Sequence, residues 1–308
     1  MTRIFVALGL LVPLLATAAP VSKTREAILD NGLKVIVKED RRAPIVTSQV
    51  WYKVGSSYEH DGITGVSHVL EHMMFKGTSA HPAGEFSRII AENGGSENAF
   101  TSRDYTAYFQ TMEKSRLPVS FELEADRMRN LVIPEQEFLK EVQVVMEERR
   151  MRTEDNPQSL TYEQFNATAY INSPYRIPVI GWMDDLENMQ VEDLKAWYRK
   201  WYAPNNATVV VVGDVDPDAV YRLAKKYFGP LKPSDIVKPK PRLEVPEFGF
   251  QDACIPAGSA RGFRCILFRR GGLCVILGQE KMLPVDRTVF EASRCDVKII
   301  NTDALYFG

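Results

Sequence analysis

Two of the four histidines in this 308-residue chain lie four positions apart, in the segment His68-Val69-Leu70-Glu71-His72. On a helix, residues i and i+4 lie one above the other, so both imidazoles can bind a single zinc ion. Glu71 points the same way and is placed to accept a proton from water at the metal. The spacing predicts a hydrolytic zinc site. The alternative is a solvated helix face that carries two ordinary histidines.

The residues around this segment support a helix over about 65–76, ending at Gly77. At 100° per residue, one side of that helix is apolar and the opposite side carries the two histidines and Glu71. A histidine that belongs to the core would lie within the apolar stripe, and these two do not. The apolar stripe consists of Val66, Val69, Leu70, Met73 and Met74.

A hydrolytic zinc site needs a third protein ligand and an open fourth position. A second helix, from Pro134 to about Arg152, is rich in glutamates. Glu141 and Glu148 are seven residues apart on one face that borders its apolar stripe, whereas Glu147 faces water. Glu148 is therefore the better candidate ligand, and Glu141 is a candidate to support one.

These motifs, together with several others, resemble the insulinase/pitrilysin family of zinc metallopeptidases, whose signature is H-x-x-E-H. The resemblance covers about Glu26 to Pro246. It implies one zinc ion bound by His68, His72 and Glu148, with Glu71 as general base. The matching segments are 55–59, 65–78, 98–106, 147–149, 202–207 and 212–215.

The same resemblance implies a binding site for an extended peptide substrate. In the family, the strand that begins near Asn98 and Ala99 binds substrate along a sheet edge. We assign that role to Asn98, Ala99 and Phe100. The alternative is a polar turn that leads into a core strand.

The pattern of elements predicts an α+β fold, with a mixed, largely antiparallel sheet packed by helices. Asn31-Gly32 indicates a hairpin between two short strands. Further strands are predicted at Ile45–Val54, Tyr105–Met112 and Ala207–Val212. Besides the two helices above, helices are predicted at about 83–93, 118–130, 191–201 and 216–228.

Composition excludes several classes of protein. The 38 basic and 40 acidic residues give a net charge of −2, which argues against a nucleic-acid binder. All four cysteines lie after residue 253, so the rest of the chain is not built on a disulfide framework.

The N-terminus has the layout of a secretory signal over residues 1–18. Arg3 precedes an uncharged apolar run from Ile4 to Leu15, and Ala16-Thr17-Ala18 provides small residues for cleavage. The run is short for a membrane span, although an uncleaved anchor is the alternative. We expect a secreted or periplasmic protein with no membrane association beyond secretion.

The chain divides into a metallopeptidase domain (26–229), a proline-rich linker (230–247) and a tail (248–308) whose fold the sequence does not predict. Within the domain, the catalytic part covers about 30–182 and a following part starts near 188. Family members normally carry a second, similar domain that closes over the zinc, and the tail does not resemble its start. A truncated or frame-disrupted gene would look like this. We therefore expect zinc binding with weak or absent turnover by the chain alone, and a gain when a partner protein or a second copy supplies the missing half.

The main interpretation is a zinc metalloendopeptidase that hydrolyses extended peptides. A second is a catalytically weak or inactive family member that serves as a partner subunit in a processing or assembly complex. The intact set of His68, Glu71, His72 and Glu148 argues against the second interpretation, and the missing second domain argues for it. A solute-binding protein finds no support beyond the signal segment.

Overall fold

A six-stranded sheet forms the centre of the molecule. The computed structural model describes residues 24–237, 239–242 and 244, and the backbone of three further strands between 249 and 279. The strand order of the main sheet is β1–β2–β6–β3–β5–β4. Only β2 and β6 pair in parallel within this sheet, and the other neighbours are antiparallel. Its strands are β1 (Thr24–Ile28), β2 (Lys34–Glu39), β3 (Ile45–Tyr52), β4 (Ser96–Thr101), β5 (Thr106–Glu113) and β6 (Ala207–Gly213).

Alternation of side chains along the central strands decides which face of the sheet is covered. In β3, Val46, Val50 and Tyr52 are fully buried, while Thr47 and Gln49 on the other face are partly exposed. Strand β6 repeats this period of two. The covered face packs against helices, which confirms the predicted α+β fold with a mixed, largely antiparallel sheet.

Eight α-helices are present in the described part of the chain. The sequence predicts six of them and misses α5 and α6. Helix α5 has no apolar stripe, because the residues that it buries include Thr161, Glu163 and Asn166, and α6 has only six residues. The helices are α1 (Val66–Met73), α2 (Glu85–Glu92), α3 (Leu117–Asn130), α4 (Glu135–Arg149), α5 (Pro157–Ala169), α6 (Met183–Asn188), α7 (Val191–Trp201) and α8 (Pro217–Tyr227).

Three more strands form a small antiparallel sheet of order β7–β8–β9 beyond the proline-rich segment. They are β7 (Gly249–Ile255), β8 (Phe263–Arg269) and β9 (Leu273–Gln279), in a region where the sequence predicts no elements. The signal segment 1–18 lies outside the described residues and stays a prediction. Among the described residues, no helix has the length and apolar character to cross a membrane.

Candidate active site

Helix α1 presents the two histidines, and its first turn is fixed by a carboxylate from outside the helix. Glu59 accepts hydrogen bonds from the backbone N–H groups of Gly65 (2.7 Å) and Ser67 (2.9 Å). Gly65 has φ +87° and cannot cap the helix with a side chain. Burial raises the pKa of Glu59 to about 7, although both hydrogen bonds favour its charged form.

The apolar side of α1 is buried as the sequence predicts. Val66, Val69, Leu70 and Met73 are fully inaccessible to solvent, and the helix packs against α4, α7 and β4. Because this stripe is held in the core, the opposite side of the helix faces outward. His68, Glu71 and His72 lie there, each partly exposed.

Three donor atoms converge at this surface. The Nε2 atoms of His68 and His72 lie 3.8 Å and 3.6 Å from Oε2 of Glu148 on α4. One donor atom from each residue lies within 4.8 Å of the other two. Ligand atoms bound tetrahedrally to one zinc ion at about 2.1 Å are about 3.4 Å apart, so the set fits a zinc ion after small adjustments. Two imidazoles and one carboxylate are also a donor set typical of hydrolytic zinc.

Each histidine is in a state suited to metal binding. Burial lowers the pKa of His68 to about 3, and the charges of His72 and Arg152 act in the same direction. The ring is therefore neutral and keeps a lone pair. Nδ1 of His72 lies 3.2 Å from Oε2 of Glu141, and the other oxygen of Glu141 pairs with Lys76 at 2.6 Å. A carboxylate on the far nitrogen orients a ligating imidazole.

The two oxygens of Glu148 face different partners. Oε2 points toward the histidines, whereas Oε1 pairs with Arg152 at 2.5 Å. Arg152 lies four residues after Glu148, where α4 continues into a π-helical turn at Arg150–Glu154. Side chains at this spacing are neighbours on a helix. Glu147 is exposed and pairs with Arg150, on the water-facing side that the sequence predicts.

Glu71 lies beside the three donors. Its Oε2 accepts a hydrogen bond from the hydroxyl of Thr101, the last residue of β4. Burial raises the pKa of Glu71, while the Thr101 bond and His72 lower it. The carboxylate is thus held in place, with one oxygen left to face the cleft.

The centre lies in a cleft of about 690 Å³. One wall is formed by Ala99, Phe100 and Thr101 of β4, and another includes Gln158 and Tyr162 of α5. Strand β4 is the edge of the main sheet and pairs only with β5 among the described residues.

Asn98 is the one residue of the predicted substrate strand that does not line the cleft. It is exposed, and its side-chain oxygen accepts the backbone N–H of Ala99 at 2.8 Å. Sequence reasoning assigned no role to Glu59, Thr101 or Arg152. Glu59 and Thr101 lie within the family-like segments, and Arg152 follows Glu148 at the i, i+4 spacing of helical ion pairs. Both signals were available in the sequence.

The fold and the centre together define a domain of the zinc-metallopeptidase type, and comparison with known proteins identifies the family. The profile described as "Insulinase (Peptidase family M16)" matches residues 34–181, and the profile described as "Peptidase M16 inactive domain" matches residues 188–256. The chain belongs to the insulinase family, peptidase family M16.

Relatives with names or structures agree with this assignment. Zinc protease PqqE of Helicobacter pylori is 42% identical over 227 residues, 73% of this chain and 51% of that protein. The crystal structure of a protease from Helicobacter pylori superposes with a TM-score of 0.69 at 42% identity, over 72% of this chain and 54% of that one. The periplasmic protease PqqL from Escherichia coli gives 0.68 at 25% identity, over 75% and 26%. The chain thus spans about half the length of the curated relatives that it matches.

Proposed function

We propose that this chain is the metal-binding half of a zinc-dependent metalloendopeptidase that hydrolyses extended peptides or unfolded segments. The observation that carries the proposal is the convergence of His68, His72 and Glu148 in a cleft that a sheet edge borders, with Glu71 beside them. Relatives named zinc proteases support it.

A zinc ion, when bound, supplies a Lewis acid that polarises the peptide carbonyl and lowers the pKa of water. The side chains of this site transfer the proton and hold the reacting groups in position. Glu71 accepts a proton from the attacking water and returns it to the amide nitrogen as the C–N bond breaks. Thr101 holds the Glu71 carboxylate in position, and Glu141 holds the His72 ring.

We propose that the substrate enters as an additional strand along β4. The exposed N–H and C=O groups of an edge strand are a template for pairing with an extended peptide. Ala99 and Phe100 line the cleft, while Asn98 continues the same edge away from it. Backbone pairing binds peptides of many sequences, which suits an endopeptidase.

The cleft is open, because Phe100 and Tyr162 at its walls keep 38% and 60% of their surface exposed. Efficient hydrolysis needs substrate that is held and water that is excluded. We propose that a second half, from a partner protein or from a second copy of this chain, closes over the cleft. The segment 1–18 and the periplasmic relative favour action outside the cytoplasm.

Metal content and turnover of single-residue variants test this function. The purified chain is expected to hold one zinc ion and to cleave an unstructured peptide at most weakly, with faster cleavage once a second half is supplied. His68→Ala, His72→Ala and Glu148→Ala each lose stoichiometric zinc and turnover, measured by elemental analysis and peptide cleavage. Glu147→Ala is the matched control, since this neighbouring glutamate faces water and keeps the metal. Full turnover of a ligand variant in zinc-free buffer contradicts the proposal.

A further inference from the structure

The cleft that holds the candidate centre is also lined by three arginines. Arg103 lies in the turn between β4 and β5, Arg152 in the π-helical turn after α4, and Arg176 in a short 3₁₀ helix at Pro174–Arg176. These three positions come from distant parts of the chain.

One arginine and one glutamate of the lining are already paired within the protein. Arg176 binds both carboxylate oxygens of Asp61, at 2.8 Å and 2.9 Å. Glu163 is paired with Arg149 through two hydrogen bonds of 2.8 Å, and both side chains are buried. Neither pair leaves net charge in the cleft.

The remaining acids of the lining face the metal position. Glu71 and Glu148 carry two negative charges, which offset the two positive charges of a zinc ion. His68 adds no charge, because an imidazole that binds a metal is in its neutral form. With zinc in place, Arg103 and Arg152 carry the uncompensated charge of this cleft.

Arg103 lacks an acidic partner of its own. Among the described residues, no carboxylate lies within salt-bridge distance of it, and its buried Nε has no hydrogen-bond acceptor. Its guanidinium lies 5.6 Å from the centre of the Tyr175 ring. The neighbouring Asp104 accepts hydrogen bonds from the hydroxyls of Ser57 and Tyr175 instead.

The backbone that carries Arg103 is held rigidly. Ser56 and Ser57 donate their N–H groups to the carbonyl oxygens of Ser102 (3.2 Å) and Arg103 (2.8 Å). This close approach requires glycine at position 55, where a Cβ would lie 2.1 Å from the Ser102 oxygen. A guanidinium on a fixed turn, partly buried beside Tyr175, loses less freedom on binding a carboxylate than one on a mobile loop.

We propose that Arg103 and Arg152 form a subsite for an acidic side chain, so that the protein prefers extended peptides with Asp or Glu near the bond that is cleaved. This inference rests on the proposed function. A guanidinium can bind a carboxylate through two parallel hydrogen bonds. Arg152 keeps 76% of its side chain exposed while it pairs with Glu148, so its other N–H groups can reach a ligand.

Binding of two matched peptide series tests the subsite without relying on turnover. Each series is an otherwise neutral, fluorescently labelled peptide with one Asp, or one Asn, moved along its length. Anisotropy is measured with zinc-loaded Glu71→Gln protein, which does not consume the peptide. At one or two positions Asp is expected to bind about tenfold tighter than Asn, and the advantage shrinks from about 0.05 to 0.5 M salt.

Substitutions of the two arginines test which side chains provide the preference for Asp over Asn. Arg103→Gln, added to Glu71→Gln, is expected to bring the Asp-to-Asn ratio close to one, while Arg103→Lys keeps most of the preference. Arg152→Gln also lowers the ratio and is assayed at full zinc occupancy. The control is Arg222→Gln, which removes the same charge from an exposed position of α8 outside the cleft and leaves the ratio unchanged.

Equal affinity for Asp and Asn at every position overturns the subsite, as does an unchanged ratio in Arg103→Gln. Cleavage of the Asn series by the wild-type protein tests the proposed function separately. If those peptides are cleaved and the Asp peptides bind no tighter than the Asn peptides, only the subsite proposal is wrong. If zinc is bound but neither series binds or is cleaved, the peptidase proposal is wrong as well.

Discussion

Two regions of this protein gather charged side chains away from water, and they differ in how those side chains are satisfied. Glu124 and Arg127 of α3 are almost completely buried and bind each other through two hydrogen bonds. Gln110 donates to the same glutamate at 2.6 Å. The Arg127 guanidinium also lies over the rings of Phe86 and Tyr108, at 4.1 Å and 4.5 Å.

The candidate centre is built in the opposite way. Nε2 of His68 and Nε2 of His72 converge with Oε2 of Glu148 at the base of a cleft, and their 3.8 Å and 3.6 Å distances from that oxygen are too long for hydrogen bonds. Acceptor atoms that converge without a hydrogen between them bind a cation well, whereas they cannot hydrogen-bond to one another. The comparison indicates that the α3 pair serves the fold and that the α1–α4 cluster serves a metal.

The largest expected effect concerns turnover at the cluster. Glu71→Gln keeps the shape and the hydrogen bond from Thr101 but cannot accept a proton, so peptide hydrolysis should fall about 10³-fold. Zinc content should stay at the wild-type value. Loss of zinc equal to that of His68→Ala would place Glu71 among the ligands and contradict its assignment as base.

The next effect concerns stability at the α3 pair. Arg127→Met leaves Glu124 buried without its counter-charge, and the free energy of unfolding should fall by about 3–5 kcal/mol in chemical denaturation. The double variant Glu124→Leu/Arg127→Met should recover most of that loss, since it removes both charges.

The exposed pair of Glu137 and Lys140 is the control for this stability effect, and Lys140→Met should cost less than about 1 kcal/mol. Zinc content of the folded Arg127→Met protein should remain normal. If Arg127→Met costs no more than Lys140→Met, or if it removes zinc, the contrast between the two regions is wrong.

A third effect concerns the Glu59 carboxylate that caps α1. Its folded pKa of about 7 lies above the unfolded value of 4.5, so the folded state binds a proton more tightly. This contribution to stability is present below about pH 4.5 and is lost as the pH rises through 7. At about 1.4 kcal/mol per pKa unit, the loss is about 3 kcal/mol.

Urea denaturation between pH 4.5 and 8 measures this effect. Glu59→Gln should flatten the pH dependence, whereas the exposed Glu122→Gln should follow the wild type. Identical pH profiles for Glu59→Gln and the wild-type protein would show that Glu59 titrates normally in the folded state.

The smallest expected effect concerns the support of His72. Glu141→Gln removes the charge that orients the ring while the three donors remain, so zinc affinity should fall about 10–100-fold. Competition with a chromophoric chelator measures the affinity. A loss as complete as that of Glu148→Ala would place Glu141 among the metal ligands and contradict its role in orienting His72.

Local sequence patterns determined much of this protein. The apolar stripe of α1 fixes which way His68 and His72 face, since a helix with one apolar side has one way to pack. The same reasoning places Glu148 at the edge of the buried side of α4 and Glu147 in water. The hairpin at Asn31-Gly32 and the alternating strands β3 and β6 follow from equally local rules.

Tertiary structure decided the rest. Helix α5 buries polar residues, so its sequence has no apolar periodicity that would predict a helix. The parallel pairing of β2 with β6 joins residues about 170 positions apart, and the position of β4 at a sheet edge depends on all the other strands. Arg103 and Arg152 line the same cleft although they lie on different elements, and the turn that carries Arg103 packs closely against Gly55. Local sequence fixes which way a side chain faces on its own element, whereas the meeting of distant elements depends on packing across the whole fold.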